Sequence, residues 1–481
     1  MVCILGVRML QQIIYTLPEI SLLIGIINLL ILRILGYEKS RTYGAVARLW
    51  LLVSAFCAII FYNQSINNLY FENNAYTLLF ILGADIAIYI MFLVSTTWFA
   101  AVKRTGCRYY ILILAIALCI NLLITSINIQ ALFLGYGLLI GMNYLLLKID
   151  YDKNSAETAK RYLIISYGLI LLLAIISGVY IAFYTGETTY KAIATILLEK
   201  NKSLPLFLSS IGIFLPCFYA LNIAPFHIMA EEKVSKSILP VQHYFAIVVP
   251  IIFFGVLIKL NQTIGIAYKN ELSLIYMIMA FISMLFGAIG ANARINLHRI
   301  YAYSTLYHFS VVLMLLSIFN HSTTFTALIY LIAYLIALNN LYIVFYNLRS
   351  HGEYLSSVSS LAGLAQTRPY TTGALLVGLF SMMGLPPLVG FLGQIDMVYQ
   401  LLNAEKYIAL GCILLGMLLL AKSYLSIIKT IYFEQKMKTF DTENKFMLIY
   451  TIINTILILI LAFNPFQIIE ALKDMFYVIF L

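Results

Sequence analysis

The sequence predicts an all-α polytopic membrane protein of about fourteen transmembrane helices, on three observations. First, 63% of its 481 residues are hydrophobic and only 10% are charged, with a mean hydropathy of +0.96. A soluble domain keeps about a quarter of its residues charged. Second, apolar runs of spanning length, about twenty residues, recur along the whole chain. They fall near 13–35, 44–63, 75–100, 108–125, 127–147, 160–184, 203–224, 237–260, 271–291, 300–319, 322–347, 370–402, 406–432 and 444–463. A short amphipathic helix is expected near 466–480, lying at the interface. Third, the basic residues alternate from side to side. About twenty Lys and Arg fall in the connections after odd-numbered spans, among them Arg104, Arg161, Lys233, Arg294 and Arg368. The connections after even-numbered spans hold Lys191, Lys200, Lys202, Lys259, Lys269 and Lys406. That asymmetry puts the odd-numbered loops on the cytoplasmic or matrix side and both termini opposite.

The same distribution excludes other classes. The net charge of +10 sits in gaps between spans, with no basic stretch interleaved with aromatics, so nucleic-acid binding is excluded. The six cysteines, Cys3, Cys57, Cys107, Cys119, Cys217 and Cys412, form no C-x-x-C pair and read as buried small hydrophobes. No histidine pair has metalloprotease spacing. Gly135, Gly137 and Gly141 lie in an apolar helix, where close helix packing explains them better than a nucleotide loop. No presequence is visible before the first span.

Two spans are interrupted. The seventh contains Pro205 and Pro216 and runs into Pro225, with Pro216 and Pro225 expected at the break. The twelfth carries Gly384, Pro386 and Pro387, followed by Gly390 and Gly393. Proline removes a backbone donor and clashes with the preceding turn. Broken backbone at membrane depth persists only where protein or a watery cavity satisfies it. Two broken spans five helices apart suggest a repeat, spans 4–8 answering spans 9–13, and such pairs point to a transport path at the midplane. The expected divisions are an N-terminal three-helix segment (1–105), a first repeat (106–265), a second repeat (266–435) and a last span with the amphipathic helix (436–481).

Four stretches carry a family resemblance. They are Arg161-Tyr-Leu-Ile-Ile-Ser166; Ala224-Pro225-Phe226-His227; Arg299-Ile-Tyr-Ala-Tyr303-Ser304-Thr-Leu-Tyr-His308; and Leu361-Ala-Gly-Leu-Ala with Gly384-Leu-Pro386-Pro387-Leu-Val-Gly390-Phe391. In order and spacing, the chain resembles the antiporter-like subunit 2 of respiratory complex I, NADH:ubiquinone oxidoreductase. The resemblance implies an inverted repeat and a place in a proton-translocating respiratory enzyme. It implies no redox site on this chain, with NADH, FMN, iron–sulfur clusters and ubiquinone held elsewhere in the complex. It also implies other antiporter-like and small membrane subunits as neighbours, cardiolipin in the clefts, and a mitochondrial inner membrane, with a bacterial inner membrane the less favoured alternative; the loop charges then put odd-numbered loops in the matrix and both termini on the intermembrane-space side.

Family members of this kind move protons through a midplane axis of Lys, Glu and His. Here the matching positions hold Gly137, Ala220, Pro250 and Gln394. None of these side chains carries a proton near neutral pH. Two readings follow: a subunit that keeps its fold and assembly contacts while its own path is broken or rerouted, or one that pumps with substitute groups. The candidate substitutes are His308, His227, His243, His298, Lys422 and Asp85, with His308 foremost because it lies in the retained signature. Glu231, Glu232 and Lys233 read as a solvated loop face. A standalone cation/proton antiporter is a third reading, and it lacks the midplane charges such exchange needs.

Overall fold

In the computed structural model, residues 16–61, 70–149, 153–199, 203–435 and 439–461 are described, with Gln467 and Glu470. The expected amphipathic helix near 466–480 lies outside the described residues, apart from those two. Each expected span coincides with a helical unit. The first three are α1 (Leu17–Ile34), α2 (Ser40–Phe61) and α3 (Ala75–Ala101). The next are α4 (Cys107–Thr125), α5 (Ile129–Leu147), and α6 (Lys153–Ile165) joined to α7 (Leu172–Thr185) by a π-helical turn, Ser166–Leu171. A short α8 (Tyr190–Glu199) precedes α9 (Leu204–Ala220), and a short α10 (Ile228–Ser235) precedes α11 (Leu239–Gln262). The second half runs through α12 (Lys269–Asn292), α13 (Leu297–Leu316), α14 (His321–Asn347), a small hairpin of β1 (Arg349–Ser350) and β2 (Glu353–Tyr354), and α15 (Leu364–Thr367). The broken pair α16 (Pro369–Met383) and α17 (Val389–Asn403) follows, then α18 (Tyr407–Phe433) and α19 (Lys445–Ile460). Ten of the described helical stretches are long and apolar enough to cross a membrane.

Burial separates the inner from the outer helices. Most residues of α11 and α14 are buried, while α1, α2, α7 and α18 turn rows of Leu, Ile and Phe outward. Those outward faces suit lipid, or the neighbours of an assembly. Gly135 faces Leu123 of α4 so closely that a Cβ would lie 3.1 Å from the Leu123 Cα, which bears out the packing role read for it. Cys107, Cys119 and Cys217 are buried, as small hydrophobes should be.

The two halves answer each other at several points. Asn128 caps α5 by accepting the Ala131 N–H at 2.7 Å, and Asn296 caps α13 by accepting the Arg299 N–H at 3.3 Å. Each cap also forms a β-bridge to an extended residue, Asn128 to Thr189 and Asn296 to Ser357, just ahead of a short helical segment and then a broken span. The breaks share one design. At the end of α9, the Asn222 N–H donates to the Tyr219 carbonyl and the Ile223 N–H to the Phe218 carbonyl. At the end of α16, the Gly384 N–H donates to the Ser381 carbonyl and the Leu385 N–H to the Phe380 carbonyl. This is the closed C-terminal turn that satisfies the last helical carbonyls, and it needs a residue at positive φ. Asn222 supplies +55° and Gly384 supplies +74°. Three residues after each comes a cis X-Pro bond, at Pro225 and Pro387.

One expected break is corrected. Pro216 lies inside continuous α9, and the chain departs from helix only after Ala220. Proline deletes one donor and crowds the preceding turn, and the termination signal lies instead at Asn222, where the positive φ closes the turn. Pro250 is likewise accommodated inside α11.

Candidate functional site: a polar belt around two helix breaks

At the first break, α10 folds back so that Lys233 is 2% exposed, and the reading of it as part of a solvated face is wrong. The Lys233 Nζ donates to the Asn222 Oδ1 at 3.0 Å. It also lies 4.9 Å from the ring centroid of Tyr219, 5.3 Å from that of Tyr162 and 5.7 Å from that of Phe245. An ammonium over aromatic faces is stabilised by the ring quadrupoles. Lys233 belongs to the short helix connecting spans 7 and 8, outside the spans themselves, and burial there pushes its amine down to about 7.

Glu231 and Glu232 are also drawn in, about a fifth exposed, because arginines in or just before the signature stretches reach them. Arg294 and Arg299 approach Glu231 at 2.7 and 3.0 Å, and the Tyr303 hydroxyl donates to it at 2.8 Å. Arg161 and Lys236 approach Glu232 at 2.9 and 3.7 Å. Two of the four signature stretches thus clamp α10 against α6 and α13, with Arg294 of the α12–α13 connection beside them. Lys233 takes part in none of the ion pairs among the described residues.

A belt of hydrogen-bonded polar groups begins at the cage and recurs in the second half. The Asn143 amide donates to the Tyr162 hydroxyl at 3.2 Å and accepts from the Tyr244 hydroxyl at 2.8 Å. The Ser166 hydroxyl donates to the Tyr219 hydroxyl at 3.3 Å. Across α11, His243 is hydrogen-bonded to Asn339 at 3.0 Å and stacks on Tyr342. The Asn339 amide in turn donates to Asn454 at 3.3 Å. In the second half, His308 is 2% exposed, with its Nδ1 2.8 Å from the Tyr330 hydroxyl and its ring stacked on Tyr334 at 4.1 Å. Tyr424 bridges His308, at 3.4 Å, and Ser304.

The other candidates lie apart. His227 stacks on Phe286 at the first break, and half-buried His298 packs edge-on against Phe345. Lys422 is exposed on α18, at the rim of a cleft of about 280 Å³ shared with Arg294 and Glu434. Asp85 is 4% exposed in α3, and its Oδ2 has no hydrogen-bond partner among the described residues. Glu19, missed in the sequence, lines a narrow cavity with Thr77 and Ile81, one turn from Asp85. Asp396 was also missed. It is buried in α17 and accepts the Thr326 hydroxyl at 2.5 Å. Its signal was present, a charge two residues beyond Gln394 in an apolar run.

The four positions that lack the expected carriers have structural occupations. The Gly137 carbonyl accepts the Tyr167 hydroxyl. Ala220 is the last helical residue of α9, and Pro250 is buried within α11. Gln394 lies directly over Gly384, so closely that a Cβ at that glycine would overlap the Gln394 amide. The belt therefore offers hydroxyls and imidazoles that can relay a proton, amides that hold them in place, and a caged amine at the first break.

A family model described as NADH:quinone oxidoreductase/Mrp antiporter, TM, matches residues 126–419, more than half of the chain. The chain belongs to this family. Relatives named NADH-quinone oxidoreductase subunit N cover most of it: one from Pelagibacter ubique is 26% identical over 95% of this chain and 97% of its own length. Another, from Rickettsia typhi, is 28% identical over 75% and 78%. The fold matches a chain of respiratory complex I from Thermus thermophilus with a TM-score of 0.78, at 19% identity over 95% of this chain and 99% of that one. It also matches a chain of an archaeal membrane-bound sulfane sulfur reductase, with a TM-score of 0.82 at 16% identity over 98% and 97%. A chain of the Mrp complex from Dietzia sp. gives 0.76 at 13% identity, over 97% of both. The expected antiporter-like membrane fold and its resemblance to the complex I subunit are borne out.

Proposed function

We propose that this chain is a membrane-arm subunit of a proton-pumping NADH:quinone oxidoreductase whose own proton path bypasses the family's four carrier positions. The observation that carries this is local. Gly137, Ala220, Pro250 and Gln394 sit in a framework that keeps both broken helices and the signature clamp, and each residue has a packing or backbone role in place of a titratable one. Burying one lone charge costs more than lacking charged partners together, so the joint absence of all four fits a path that is broken at these positions or rerouted through other groups.

On this reading NADH, FMN, iron–sulfur clusters and ubiquinone belong to other subunits. Antiporter-like and small membrane subunits cover the apolar faces of α1, α2, α7 and α18, with anionic lipid such as cardiolipin in the clefts. The odd-numbered connections face the matrix of a mitochondrial inner membrane, with both termini opposite. A bacterial cytoplasmic membrane is the second placement, favoured by the bacterial origin of the relatives above. The test is capture of the tagged chain from detergent-solubilised native membranes. The expected result is recovery with an assembly that oxidises NADH and reduces quinone. Recovery of the chain alone, exchanging Na⁺ or K⁺ for protons in vesicles, would overturn the proposal in favour of a standalone antiporter.

A further inference from the structure

We infer that Lys233 is a proton-exchanging amine of this chain, set at the break of the seventh span where Ala220 provides no titratable group. The inference deepens the reading above and rests on it for the direction of coupling.

Placement comes first. Lys233 leaves from α10, yet its Nζ lies against the ring of Tyr219, the residue before Ala220, and donates to Asn222, two residues after it. An amine from the short helix beyond the break thus occupies the end of α9. Its environment comes second. The neighbouring acids are engaged elsewhere: Glu231 with Arg294 of the α12–α13 connection and with Arg299 and Tyr303 of α13, and Glu232 with Arg161 of α6 and Lys236. What faces Lys233 is neutral: Tyr162 from α6, Tyr219 and Asn222 from the end of α9, and Phe245 from α11.

Such a cage supports both protonation states. The three rings favour the ammonium, while the loss of water opposes it. The neutral amine still has an N–H for Asn222. A buried lysine with one amide acceptor and no carboxylate needs little free energy to change state, unlike one locked in a salt bridge. The step is simple: the amine lone pair takes a proton to give the ammonium and later returns it. Connections lie at hand, because two cage rings carry hydroxyls already in the belt, Tyr162 toward Asn143 and Tyr244, and Tyr219 toward Ser166.

The test uses the assembled enzyme in sealed vesicles and counts protons moved per two electrons, alongside the uncoupled electron-transfer rate and the amount of assembly. Lys233→Met is expected to lower the proton count while the uncoupled rate stays near wild type. Lys233→Arg is expected to lower it equally, since a guanidinium keeps its proton at neutral pH. Adding Ala220→Lys to Lys233→Met is expected to raise the count again, a rescue that a purely packing role would not give. A wild-type count in Lys233→Met, or in Lys233→Arg, would overturn the inference. Where Lys233→Met fails to assemble, Lys233→Arg retains the caged cation and decides alone. If the captured chain oxidises no NADH, the parent reading has failed. The same variants are then read by cation/proton exchange in vesicles, where unaffected exchange would overturn the role of Lys233 and equal loss in both would sustain it.

Discussion

Gly390→Ala is expected to leave little folded protein. Gly390 opens α17 directly against the end of α16, and a Cβ there would lie 1.7 Å from the Ser381 carbonyl oxygen. The obstacle is main chain, which no rotamer change moves aside. The Gly390 N–H also donates to the Ser381 hydroxyl at 3.1 Å, so any displacement of α17 breaks that bond as well. Overpacking in a tight core costs about 1–3 kcal/mol and occasionally more, and a backbone collision belongs at or beyond the top of that range. A matched control is Gly373→Ala in α16, where nothing lies within 4 Å of the added methyl. That change should be neutral, or stabilising by up to about 1 kcal/mol from helix propensity alone. Yield and thermal midpoint in detergent separate the two. Equal behaviour of both variants would refute the close approach of the half-helices.

Glu231→Gln should loosen α10 from the signature clamp. The carboxylate holds Arg294 at 2.7 Å, Arg299 at 3.0 Å and the Tyr303 hydroxyl at 2.8 Å. The amide keeps the size and removes the charge, and hydrogen bonds to charged groups are worth about 1.5–3 kcal/mol each. The arginines are partly exposed, which screens part of this, so a net loss of about 1–3 kcal/mol is expected. The drop in thermal midpoint should shrink as salt rises, because screening weakens the wild-type pairs first. An unchanged midpoint at low salt would mean that water serves the arginines equally well.

Composition made the architecture legible. Twenty-residue apolar runs and the side-to-side alternation of Lys and Arg depend only on local sequence, and lipid enforces both. The breaks were legible in kind and only partly in place. Pro216 marks the region of the break but not its place, because an asparagine such as Asn222 that closes a helix in the left-handed region looks in sequence like any polar residue. The site was read least well where distant segments converge. Glu231, Glu232 and Lys233 form the polar run that usually faces water. Burial of Lys233 depends on Tyr162, Tyr219 and Phe245 arriving from three other helices, which no local pattern reports. Arg161 and Arg299 were recognised as signature residues without their partner acids being evident. Asp396 is legible in the sequence as a lone charge in an apolar run, two residues beyond the neutral Gln394.

If protons bypass the family's whole midplane axis in this chain, His308 included, loss of that imidazole leaves pumping intact. The measurement is protons moved per two electrons by the assembled enzyme carrying His308→Ala, with His308→Gln beside it to keep a hydrogen-bonding side chain opposite Tyr330. The wild-type ratio is expected in both. A clear drop in both, with assembly and uncoupled electron transfer intact, would contradict it and place the proton path through His308.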